Sequence, residues 1–174
     1  MSAVVSRLRG LSAFELALVL AVGAALAITT ALLFQYVGGY RPCPLCLKER
    51  IAYIAAIPAG LIAALMLMTG RSSLARILLV LAAAGLIWNA GLGVYHSGVE
   101  WKWWLGPTEC GSTGDLVSGG SLLENIASEK RVRCDEAAWR FLGLSFAGWS
   151  VLLSLGLAGA GFAGAMAPSR RTAV

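Results

Sequence analysis

Long apolar runs separated by short polar clusters dominate the chain. Four of these runs extend from about Ala17 to Phe34, from Ile51 to Thr69, from Ile77 to about Tyr95, and from Phe141 to about Ala167. A hydrocarbon core about 30 Å thick takes roughly 20 helical residues to cross, and each run meets that length. None combines a short apolar core with an early cleavage site, so the first run is expected to be retained as a helix. Small residues recur in "GLGVYHSG" and "GLAGAGFAGA", where they allow helix backbones to approach closely. The pattern predicts an all-α membrane protein forming a single integral domain over residues 1–174. Its architecture is a left-handed four-transmembrane-helix bundle with two outer loops, about 35–50 and 96–140. Inside the second loop, "LVSGGSLLENIASEK" reads as a short helix lying on the membrane surface.

Composition reinforces this picture. Of 174 residues, 58% are hydrophobic and only 13% charged, too little polar surface to cover a soluble domain of this size. The formal charge of +5 does not point to nucleic acid, because the basic residues stand singly or in pairs beside apolar runs, as interfacial anchors and topology signals do.

Orientation follows from charge and cysteine together. Arg7 and Arg9 precede the first run, "GRSSLAR" joins the second to the third, and "PSRRTAV" ends the chain, so these three segments are expected on the cytoplasmic side. Charge alone does not decide the matter, since the long loop carries Lys102, Lys130, Arg131, Arg133 and Arg140. All four cysteines, Cys43, Cys46, Cys110 and Cys134, fall in the two outer loops, which fits an oxidising compartment where disulfides persist. Trp101, Trp103 and Trp104 open the long loop and suit the membrane interface. Gly111, Gly114, Gly119 and Gly120 make the stretch between Cys110 and Cys134 pliable.

The chemistry concentrates in "RPCPLCLKER", residues 41–50. Pro42 and Pro44 hold Arg41 and Cys43 out of the α region. With Cys43 as helix cap, Pro44 takes the first helical position, where a missing N–H costs nothing. Cys46 then lies in the first turn, facing free backbone N–H groups and the positive end of the helix dipole, a setting that favours a thiolate. Arg50 is four residues on and shares that face. A zinc knuckle calls for four converging ligands, usually two C-x-x-C pairs, and the second pair here is widely spaced. Gln35, Asn89, His96 and Arg50 are expected to gather at one membrane level with Cys46, where a lipid-soluble electron acceptor would present its polar ring. Glu15, near the start of the first run, reads either as a headgroup-facing side chain or as a mark of a proton path.

The runs "FQYVGGYRPCPLCLKER", "YHSGVEWKWWLGPTEC" and "CDEAAWRFLGLSFAGWS" closely resemble the DsbB disulfide-bond-formation proteins of bacterial inner membranes, over nearly the whole chain. The resemblance implies four transmembrane helices and two periplasmic cysteine loops. It also implies reoxidation of a soluble DsbA-like thioredoxin-fold protein, with two electrons passed to ubiquinone or menaquinone. By the same resemblance, Cys110 would take the partner's thiolate, Cys134 would exchange with Cys43, and Cys46 would meet the quinone. The resemblance also implies that Arg50 and His96 would bind the quinone, and Gln35, by its place at the end of the first run, is expected to join them. Three rivals stand beside this reading: a paralogous oxidase with a dedicated partner, a membrane protein with static disulfides or a bound metal, and an enzyme of the vitamin K epoxide reductase type. The last places its C-x-x-C late in the bundle, unlike this chain.

Overall fold

A computed structural model describes residues 11–107 and 134–168. Cys110, the four loop glycines, the expected surface helix over 116–130, and the terminal arginines used for orientation lie outside the described residues.

Four long helices form. Helix α1, Ala13–Tyr36, begins at a capping box: the Ser12 hydroxyl accepts from Glu15 N–H, and the Glu15 carboxylate accepts from Ser12 N–H at 2.6 Å. Glu15 thus secures a helix start. Helix α2, Pro44–Met68, has Cys43 as its cap and proline at its first position, as the local sequence predicts. It begins seven residues before the apolar run does, because the cap and not hydropathy sets the boundary. Helix α3, Ser72–Glu100, has 29 residues. At 1.5 Å per residue it is about 44 Å long, more than a bilayer core requires.

Helix α4, Phe146–Met166, starts later than the apolar run beginning at Phe141. Arg140–Phe141 (β1) pairs antiparallel with Leu144–Ser145 (β2), a small departure from an all-α chain. Leu142 and Gly143 both take positive φ (52° and 82°), as a tight primed hairpin turn requires. Ser145 then caps α4 by accepting from Gly148 N–H.

The helices pack in a ring, α1 on α2, α2 on α3, α3 on α4 and α4 on α1. Many large apolar side chains point outward and small residues line the interior, with Leu16, Leu20, Leu79 and Leu86 filling the space between them, as fits a bundle with lipid as its solvent. Trp88 is 74% exposed while Ala17, Ala63, Ala83 and Leu79 are fully buried. Close approach depends on particular glycines: a Cβ on Gly60 would sit 2.8 Å from Ala17 O, and one on Gly93 would sit 2.8 Å from Val151 Cγ2. Deep in the bundle, Asn89 Nδ2 donates to Ser154 Oγ at 3.0 Å, and Ser154 Oγ lies 2.8 Å from Tyr53 Oη, which also donates to Ser150 O. This polar chain links α2, α3 and α4.

Cross-helix contacts define the two ends. Phe34 stacks edge-on against Phe146 and Arg50 bonds to Gln35, while at the other end Ala13 N–H reaches Pro168 O. The end of α1 and the starts of α2 and α4 therefore meet, joined by the end of α3 through His96.

Candidate redox site

The site is built at the mouth of α2. With Cys43 extended before the helix, its Sγ accepts the backbone N–H of Cys46 at 3.1 Å. That N–H is one of the donors every helix start leaves unpaired. The sequence pattern assigned the helix-end stabilisation to Cys46; the geometry gives it to Cys43, because a cap side chain folds back over the first turn while a first-turn side chain points away from it. Cys43 and Cys46 are free thiols. Hydrogen bonding from the Cys46 side chain holds the Cys43 thiol below the ordinary thiol value, and the Cys46 backbone N–H adds to this. Burial and the nearby Glu49 carboxylate work in the opposite direction.

His96, 3% exposed, faces this sulfur from α3. Its Nε2 lies 3.6 Å from Cys43 Sγ, and its Nδ1 lies 2.7 Å from Glu49 Oε1. Glu100, one turn further along α3, places Oε1 3.9 Å from the same Nε2. Glu49 and Glu100 were not singled out from the sequence. The signal was there: Glu49 is three residues after Cys46 and Glu100 four after His96, so each shares a helical face with a residue that was. The sulfurs of Cys43 and Cys46 and the His96 ring converge within 4.8 Å of one another.

Cys134 is disulfide-bonded and 1% exposed, and it joins Cys43, Leu45 and Val99 in one buried cluster against which Cys46 packs. The fold thus seals one sulfur of the long loop against the mouth of α2. Arg50 leaves the opposite flank of α2, its guanidinium donating to Gln35 Oε1 at 2.5 Å and to Ala31 O at 3.4 Å. The polar residues expected on one level accordingly divide. Gln35 and Arg50 pair against α1, whereas His96 turns to Cys43 and the two glutamates. Asn89 belongs to neither group; seven residues below His96, or about 10 Å, it is bonded to Ser154 instead. The tryptophans rim the same end, with Trp104 stacked on Tyr95 and donating to Tyr95 O at 2.8 Å.

Four helices long and apolar enough to cross a membrane, with a free C-x-x-C pair at one end and a disulfide-bonded cysteine packed beside it, define a multi-pass membrane protein of the thiol–disulfide oxidoreductase class. The chain belongs to the DsbB family: the family described as "Disulfide bond formation protein DsbB" matches residues 13–164. Disulfide bond formation protein B of Methylococcus capsulatus is 32% identical over 137 residues, covering 75% of this chain and 80% of that one. The protein of the same name from Dechloromonas aromatica is 33% identical over 132 residues, 67% of this chain and 70% of that one. An uncharacterized protein of Rickettsia prowazekii is 29% identical over 134 residues, 75% and 74% of the two chains. No solved structure matches the chain.

Proposed function

We propose that the protein reoxidises a DsbA-like thioredoxin-fold dithiol in the periplasm and passes the electrons to ubiquinone or menaquinone in the bacterial inner membrane, with both cysteine loops facing the periplasm. The observation that carries this reading is the burial of Cys134 in one cluster with Cys43, beside Cys46. A sulfur of the long loop therefore adjoins the pair at the membrane edge, as electron transfer by thiol exchange requires.

Written with its atoms, the sequence begins when a partner thiolate attacks Cys110 of a Cys110–Cys134 disulfide. Cys134 leaves as a thiolate and attacks Cys43 of a Cys43–Cys46 disulfide, releasing the Cys46 thiolate. The partner's second thiolate then displaces Cys110 and departs oxidised; Cys110 attacks Cys134, restoring the outer disulfide and leaving Cys43 and Cys46 reduced. A bound quinone supplies a two-electron acceptor. Four residues after Cys46 along α2, Arg50 offers donors that suit the quinone's ring carbonyls: the guanidinium carries five N–H groups, more than its two bonds to α1 use. Arg50 and Gln35 would hold the ring; His96, turned to Cys43, would act on the sulfur side.

Purified protein in detergent, given a reduced thioredoxin-fold partner and either quinone, is expected to turn over with quinone reduction. No turnover with either quinone would refute the electron path. Cys134→Ser is expected to accumulate a mixed disulfide between the partner and Cys110, and its absence would refute the order of exchange.

A further inference from the structure

The side chains facing Cys43 include groups that the electron path above does not use. His96 is enclosed by Cys43 and Cys46 at the mouth of α2, by Glu49 on α2, and by Glu100 on its own helix, with Arg140 of β1 acting electrostatically on Glu100. Glu49 is 7% exposed, Glu100 9% and His96 3%. An imidazole buried between a thiol and a carboxylate, one ring nitrogen toward each, is the arrangement by which a nucleophilic sulfur is activated and its base oriented.

We propose that Cys43, His96 and Glu49 form a proton-relay triad, in which His96 Nε2 takes the Cys43 proton when that sulfur attacks and returns it when the sulfur leaves. Glu49 is the positioning residue: by accepting from Nδ1–H it fixes the tautomer that leaves Nε2 free and favours the imidazolium once formed. This inference deepens the redox reading and rests on it for the identity of the acceptor. When the inner pair closes, two S–H bonds break and one S–S bond forms. Two electrons and two protons leave, all finally taken up by an acceptor of the quinone class. The Cys43 proton travels through His96 Nε2, and the Cys46 proton leaves with the electrons. Glu100 Oε1 lies 3.9 Å from Nε2 while its Oε2 is buried without a hydrogen-bond partner among the described residues, so this carboxylate is the nearby group for the onward proton.

The test uses the full-length reduced protein in detergent and needs no quinone. Methyl methanethiosulfonate modification is followed cysteine by cysteine by mass spectrometry from about pH 5 to about pH 10, which spans the ordinary imidazole and thiol values. Glu49→Gln and His96→Gln are each expected to slow modification of Cys43 by about tenfold or more near neutral pH, since general-base assistance is worth at least about that much. Both are expected to regain the parent rate near the alkaline limit, where the thiol ionises unaided. Glu49→Asp, which keeps the charge, should retain most of the parent profile. A profile unmoved in both glutamine variants, or a loss uniform across pH, would overturn the triad. A shifted profile in a protein without quinone turnover would sustain the triad and sink the electron path. Turnover with an unshifted profile would do the reverse.

Discussion

Replacing Arg50 tests the proposed quinone site most directly, because its guanidinium is tied to α1 and not to the thiol cluster. It donates to Gln35 Oε1 at 2.5 Å and to Ala31 O at 3.4 Å, so it is held in place on the flank of α2 opposite His96. A hydrogen bond from a charged donor is worth about 1.5–3 kcal/mol net. At about 1.4 kcal/mol per decade, Arg50→Ala should raise the KM for quinone by about 10- to 150-fold. Arg50→Lys keeps the charge but loses the planar fork and should fall between the two. Gln35→Ala removes an uncharged member of the proposed ring site that also orients the guanidinium, an effect of about 0.5–1.5 kcal/mol and so about 2- to 12-fold. The assay is steady-state quinone reduction with the quinone and the reduced partner titrated separately. The expected signature is a large change in the quinone KM with the partner KM unchanged. Equal effects on both, or no dependence on Arg50 across the quinone titration, would refute the assignment of Arg50 to the quinone.

Three further outcomes follow from the geometry. Because the folded state lowers the Cys43 thiol from its ordinary value of 9.0, the thiolate's contribution to stability is fully present above that value and is lost as pH falls through the lowered folded value. Unfolding of the reduced protein at a series of pH values should show that slope; Cys43→Ser should abolish it while keeping an oxygen cap on α2. Gly60→Ala should destabilise the bundle, since its Cβ would meet Ala17 O at 2.8 Å and Ala21 Cβ at 2.9 Å. Overpacking of about 1–3 kcal/mol exceeds the gain of about 1 kcal/mol in helix propensity, whereas Gly85→Ala, with open space around it, should gain that propensity; unfolding in mixed micelles compares the two. Tyr53→Phe should cost about 0.5–1.5 kcal/mol in the same assay by breaking the chain from Tyr53 to Ser150 and Ser154, with thiol exchange unaffected.

The four spans and the cap at Cys43 were legible in the chain because both depend on local rules. Hydrophobic length is counted along the sequence, and proline after a cap residue constrains only its neighbours. Their boundaries were less legible. α2 extends to Pro44 and α4 waits until Phe146, since caps and a hairpin turn overrule hydropathy at both places. The four cysteines, Arg50, Gln35 and His96 could be chosen by residue type and spacing. What they touch could not: Cys43, His96 and Glu49 are 53 and 47 residues apart in their two contacts, and Arg50 reaches back to α1. Local sequence placed the helix-end stabilisation on Cys46, and only the backbone path into α2 gave it to Cys43. By itself the sequence determined that this is a four-span membrane protein with a C-x-x-C pair at the mouth of the second helix. The tertiary structure decided which groups surround each sulfur, because close packing of small residues sets how the helices face one another, and that facing is a property of no single helix.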